Sequence, residues 1–230
     1  MNDSFLSNFN IPESKEEVFT ESKSDILKLL KELSIDTRYV SYTPNTIYIN
    51  NLRFSKFSRK REAVFNKHYP NIKVLRSGLF QKICTHSARV LSKTIEPQNK
   101  LLLPQTTGPV EDLIKIVLEP YTRKYGVKLI ENTNEEYDKT VSPLTLNKEV
   151  ILILNDIFNG DKINFKNIKE DTIYPFINVS EDWIYTFLNL DQPLYNETTS
   201  VKFMSFLEDI VPQYMENIVH SSLFLKDNIK

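Results

Sequence analysis

Four glycines, Gly78, Gly108, Gly126 and Gly160, are all that this 230-residue chain contains. Glycine enters positive φ without steric cost, and tight two-residue hairpins lean on it. An all-β barrel or sandwich needs many such turns, so the scarcity argues against both. The apolar share of 40% is ample for a buried core. The chain is therefore expected to bury that core with helices and with strands joined by longer connections.

The periodicity agrees. Ile26, Leu27, Leu29, Leu30 and Leu33 repeat at helical spacing behind Asp25. Tyr39–Tyr42 and Thr46–Ile49, on either side of Pro44, are β-branched and aromatic and read as short strands. Ser58 is placed to cap a helix through about Lys67, and Ser77 a longer one. Between them Ile72–Leu75 reads as a strand. Leu101–Leu103 is a short, wholly apolar run before Pro104, the pattern of a strand covered on both faces. The polar loop Gln105–Gly108 follows, and Pro109 stands where a helix can start, its missing N–H costing nothing there. That helix should end near Pro120, with a strand over Val127–Ile130. The polar stretch 131–147 reads as loop. Further elements are a helix over Glu149–Phe158 with Gly160 as its C-cap, a strand over Thr172–Phe176 and a helix capped by Ser180. A last helix from near Ser200 should kink at Pro212. The expected fold is α/β: a layered, mainly parallel sheet flanked by helices, with a helix-rich C-terminal part. Residues 1–20 are expected to be a flexible segment and 21–230 a single α/β domain.

Charge is sharply segregated along the chain. The stretch from Arg53 to Lys93 holds eleven of the 29 basic residues and one of the 30 acidic ones, Glu62. The eleven are Arg53, Lys56, Arg59, Lys60, Arg61, Lys67, Lys73, Arg76, Lys82, Arg89 and Lys93. Phe54, Phe57, Phe65 and Tyr69 are interleaved. With one local acid for pairing, such a block suits a polyanion, most simply a nucleic acid. Lys82, His86, Arg89 and Lys93 fall on one helical stripe, which turns a composition into a surface. Phe54 and Phe57 would stack on unpaired bases if exposed.

Catalytic and ligand motifs are scarce. No phosphate-cradling glycine loop occurs. His68, His86 and His220 lack partners at metal-ligand spacing, and the single cysteine, Cys84, lies on an apolar helix face. Glu135, Glu136 and Asp138 read as a solvated acidic turn. The one constellation left is the strand–loop–helix unit with Gln105, Thr106, Thr107 and Asp112, where α/β sheets bind ligands. No catalytic residue, metal or cofactor is expected. With no run of 18 apolar residues, no membrane-spanning helix is expected, and the N-terminus is unlike a secretory signal. The expected location is the cytoplasm, or else the nucleus.

Three segments carry a resemblance: Phe80–Lys93 leading into Leu101–Pro104 and Gln105–Asp112; Ile173–Phe176 followed by Val179–Ile184; and Phe203–Ile218. Their order resembles the second half of PP-loop ATPase domains that modify tRNA, above all the second subunit of the cytoplasmic tRNA 2-thiolation complex. The resemblance spans about 77–220. It departs from the family in lacking the Ser-Gly-Gly-x-Asp-Ser nucleotide loop, and Gln105 and Thr106 stand in the region of a Gly-His pair. It implies a divergent, non-catalytic member beside a catalytic partner protein, with tRNA as the RNA. The function expected is thus a non-catalytic RNA-binding subunit of a tRNA-modifying assembly. Two alternatives are a protein-interaction subunit docking through the basic block or the late apolar helix, and a nucleotide-activating enzyme built on the Gln105–Gly108 loop.

Overall fold

The structure is a computed structural model that describes residues 22–161, 171–211 and 213–228. The expected N-terminal segment lies outside those residues, as does Pro212. Two sheets organise the fold. The smaller is built from β1 (Val40–Thr43), β2 (Thr46–Ile49) and β3 (Lys73–Leu75), in the order β1-β2-β3. β1 and β2 form a hairpin, with Val40 opposite Ile49 and Thr43 opposite Thr46. Its turn, Pro44–Asn45, is closed without glycine and without positive φ. β3 adds parallel to β2.

The segment between β2 and β3 holds six of the eleven cations of the basic block, Arg53 to Lys67. It folds as α2 (Leu52–Ser55) and α3 (Arg59–His68), capped by the side chains of Asn51 and Ser58. α1 (Lys23–Glu32), capped by Ser22, supplies Ile26 and Leu30 to the same core. Phe57 and Phe65 are wholly buried there, packed edge to face at 6.1 Å. Their burial corrects the expectation that Phe57 could stack on a base. A phenyl ring sealed beneath two helices presents no face to a ligand.

The larger sheet is parallel throughout, in the order β5-β4-β6-β7. Its strands are β4 (Lys100–Leu102), β5 (Lys128–Ile130), β6 (Lys139–Val141) and β7 (Thr172–Ile173). The α/β expectation is met, with one correction inside it. Residues 131–147 are not all loop, because β6 lies within them. Lys-Thr-Val has no run of apolar residues to reveal it. It is a strand because its backbone pairs with β4 on one side and β7 on the other, and buried backbone groups need such partners.

Helices cover this sheet. α4 (Gly78–Thr94), α5 (Pro109–Leu118) and α8 (Glu181–Leu188) share the main core with β4 and β6. α5 buries Val110, Leu113, Ile114, Ile116, Val117 and Leu118, leaving the side of Glu111, Asp112 and Lys115 toward solvent. α6 (Tyr121–Lys124) follows it directly. α7 (Leu146–Asn159), α9 (Thr199–Ile210) and α10 (Tyr214–Asn228) surround a separate cluster with Val150, Leu154, Met204 and Tyr214. The expected single last helix is two, broken between Ile210 and Tyr214.

The two sheets are clamped together by Glu119 and Arg123. Their side chains pair in a bidentate contact, one arm of it 2.9 Å. Arg123 Nη2 then donates to the carbonyls of Thr37 (3.0 Å) and Val40 (2.7 Å). Glu119 accepts from the Tyr42 amide (3.0 Å) and from Lys23 (2.8 Å). A half-buried pair that also satisfies backbone groups holds orientation better than an isolated surface ion pair.

Candidate nucleic-acid interface

α4 organises the basic surface. At about 100° per residue, Phe80, Ile83, Ser87 and Leu91 point inward and are wholly buried. Lys82, His86, Arg89 and Lys93 form the expected stripe on the outer side, where Lys82, Arg89 and Lys93 are exposed. Gln81, Thr85 and Ala88 lie on the flank turned toward α2, and Gln81 Oε1 accepts from the Leu52 amide at 3.0 Å. The opposite flank meets α8. Lys82 Nζ stands 3.5 Å from the centre of the Trp183 ring, a cation–π contact that holds the ammonium without neutralising it.

His86 completes that flank. Its Nδ1 lies 3.1 Å from the Asn178 carbonyl, and its ring meets Trp183 edge to face at 5.0 Å. Burial, aided by Arg89, holds its pKa below the ordinary histidine value. That burial disfavours its charged form.

The other basic residues separate into two kinds. Arg76 is braced inside: its side chain is 13% exposed, Nε donates to Glu62 at 2.6 Å and Nη2 to the Phe57 carbonyl at 2.6 Å. It fastens α3 to the turn before α4, so it belongs with the internal framework and not with the outer face. Arg61 donates to the Lys56 carbonyl and supports the left-handed backbone at that residue. Arg59 reaches Glu62 at 3.4 Å while staying 80% exposed. Among the described residues, Arg53, Lys56, Lys60, Lys67, Lys73, Lys82, Arg89 and Lys93 make no salt bridge within 4.0 Å. Positive charge left without local acids is what a polyanion requires.

The second candidate, the loop at the carboxyl edge of β4, is placed where an α/β sheet binds ligands. β4 connects outward to β5 on one side and β6 to β7 on the other, so the crevice between β4 and β6 is the topological switch point. A cavity of about 470 Å³ opens there, lined by Pro104, Gln105, Thr106, Ser142, Pro143 and Tyr174 among others.

Its chemistry opposes an anion. Pro109 at the first position of α5 removes one N–H, and no side chain caps the helix. The first turn carries Glu111 and Asp112. Glu111 folds back over the loop and accepts from Thr106 Oγ1 at 2.8 Å. A Cβ on Gly108 would lie 2.8 Å from its other carboxylate oxygen, so glycine leaves room for this closure. Asp112 is half-buried, and burial pushes its pKa up. Gln105 spends its amide on the carbonyls of Leu103 (2.9 Å) and Glu131 (3.1 Å); Thr107 is exposed. A phosphate seeks several free N–H groups at a helix N-terminus, and here Pro109 lacks one and the Glu111 carboxylate folds over the loop.

Other sequence candidates are structural. Glu136 and Asp138 hold Lys100 through its ammonium (2.6 Å) and its amide (2.7 Å). Cys84 is buried, and burial pushes its thiol well above the usual range. Among the described residues no group of three or more His, Cys, Asp or Glu could hold a metal ion, and no helix is long and apolar enough to cross a membrane.

Sequence reasoning missed two buried carboxylates. Glu181 is 1% exposed and bonded to Thr145 (2.9 Å), Lys148 (3.1 Å) and the Tyr195 hydroxyl. Glu149 is buried with Oε2 unpartnered, and burial raises its pKa. First-turn acids are ordinary in solvent-facing helices, so their sequence positions announce nothing unusual.

No family model and no curated protein matches this chain. Nine chains among solved structures do. One is the U34-tRNA thiolase NcsA from Methanococcus maripaludis with its 4Fe-4S cluster, similar at 11% identity and a TM-score of 0.49 over 72% of this chain and 84% of that one.

Proposed function

We propose that this protein is a non-catalytic RNA-binding subunit of a tRNA-modifying assembly, holding RNA on the surface formed by α2, α3 and the outer stripe of α4. The observation that carries the reading is the set of exposed cations there without salt-bridge partners. Arg53, Lys56, Lys60, Arg89 and Lys93 contact phosphates, and Arg59 and Lys82 extend the track. Such contacts position an RNA without reading its sequence. Glu111 folded over the loop after β4, and Pro109 at the start of α5, support a role without nucleotide chemistry of its own. The likeness of segments within 77–220 to the second thiolation subunit directs the reading to tRNA and to a catalytic partner protein in the cytoplasm.

The test is binding of bulk tRNA to the full chain across a salt series, beside the variant Lys60→Glu/Arg89→Glu/Lys93→Glu. Affinity should fall steeply with salt, and the variant should bind roughly a hundredfold more weakly with a salt slope reduced by about three. No binding at low salt, or a variant indistinguishable from wild type, refutes the proposal.

A further inference from the structure

Beside the α4 stripe lies a cavity of about 250 Å³. One wall is aromatic. Tyr39 and Phe54 stand 5.2 Å apart, and Phe54 is 51% exposed although it is a large apolar ring on a four-residue helix. Thr85 and Ala88 of α4, both small, also line the cavity. The floor is Cys84, Val117 and Tyr121. The rim is cationic. Arg53 stands 5.9 Å from the Phe54 ring centre, and Lys124 lies 5.8, 5.5 and 5.1 Å from the rings of Tyr39, Tyr121 and Tyr125. Arg38, which also lines the cavity, is 59% exposed while paired with Asp36.

A flat aromatic face beside a narrow slot, with cations at its edge, fits a planar π system attached to a phosphate. Stacking a base on the half-exposed Phe54 ring removes apolar surface from water. The slot also continues from the flank of the helix whose outer stripe carries Arg89 and Lys93, so a strand following that stripe delivers a base to it.

We propose that the cleft between Phe54 and α4 is a stacking subsite for one unpaired nucleobase of a single-stranded RNA segment, with Arg53 and Lys124 holding its flanking phosphates. This rests on the RNA-binding reading above and goes further, since phosphate contacts alone do not distinguish single strands from duplex.

The experiment compares two RNAs with equal numbers of phosphates, one a stem-loop and one fully paired, titrated into the full-length protein at fixed salt. Wild type should favour the stem-loop by about tenfold. Phe54→Ala and Phe54→Leu should each lose that preference while binding the duplex as wild type does, and Phe54→Trp should keep it. Thermal unfolding of each variant confirms that it is folded. Equal wild-type affinity for both RNAs overturns the subsite, and so does an undiminished preference in the alanine and leucine variants. Failure of wild type to bind either RNA overturns the RNA-binding reading itself, which separates the two.

Discussion

The switch-point crevice and the surface around α4 are both edges of the same α/β framework, yet only the second gathers unpaired cations. At the crevice, the N-terminus of α5 is closed by Glu111, with Asp112 beside it and Pro109 withholding a donor. Around α4, exposed Lys and Arg side chains stand without salt-bridge partners, and the one local acid, Glu62, is taken up by Arg76 and Arg59. The topology offers a ligand crevice at the switch point, and beside it Glu111 folds over the loop that leads into α5. The positive potential has been placed on a helix flank that topology alone does not mark. Position in a fold and chemistry at that position are separate facts.

That contrast can be broken or sharpened by experiment. The basic face needs a rigid mount, and Phe57 is its centre. Phe57→Ala should cost about 3–5 kcal/mol in urea unfolding; a loss below 1 kcal/mol would mean that α2 and α3 are not held as described. Arg76→Ala should cost about 1–3 kcal/mol by stranding Glu62 and the Phe57 carbonyl. It should leave the salt slope of RNA binding unchanged, because this cation braces the face without belonging to it.

Glu149 tests the acidic side. Burial raises its folded pKa above the unfolded one, so the folded state favours its protonated form. Its contribution is therefore best at low pH and is lost as pH rises through the unfolded value to the folded one. Glu149→Gln should be more stable than wild type by about 1 kcal/mol at neutral pH, and the difference should vanish at acid pH. A stability difference independent of pH would show that charge is not the cause.

Smaller effects follow. Lys82→Gln should lose roughly 0.5–1 kcal/mol of cation–π interaction, change Trp183 emission and lower the RNA salt slope by about one. An unchanged emission would place Lys82 away from the indole. The smallest expected effect is none: magnesium-ATP should not raise the melting temperature, since a ligand that binds the native state must stabilise it. A rise that scales with ATP concentration would reverse the account of the crevice.

Local signals were legible where side chain and backbone agree over a few residues. Ser58, Ser77 and Ser180 cap the helices expected of them, and Gly160 takes the left-handed C-cap. The apolar run Leu101–Leu103 marks the central strand. β6 was not legible, because its Lys-Thr-Val owes its state to two neighbouring strands. Nor could the sequence distinguish Phe54 from Phe57, three residues apart and identical in type, one half-exposed and the other sealed. Arg76 and Arg89 likewise look alike in composition and differ only in what surrounds them.

By itself, then, the sequence determined the α/β class, most helix boundaries, the central strand and the segregation of charge, because these follow from spacing and composition along the chain. Tertiary structure alone decided which cations stay unpaired, which aromatic ring faces solvent, and that the Glu111 carboxylate folds back over the loop after β4. The first two depend on partners brought from distant positions, such as Trp183 to Lys82 and Tyr39 to Phe54, and burial and electrostatics are set by neighbours in space.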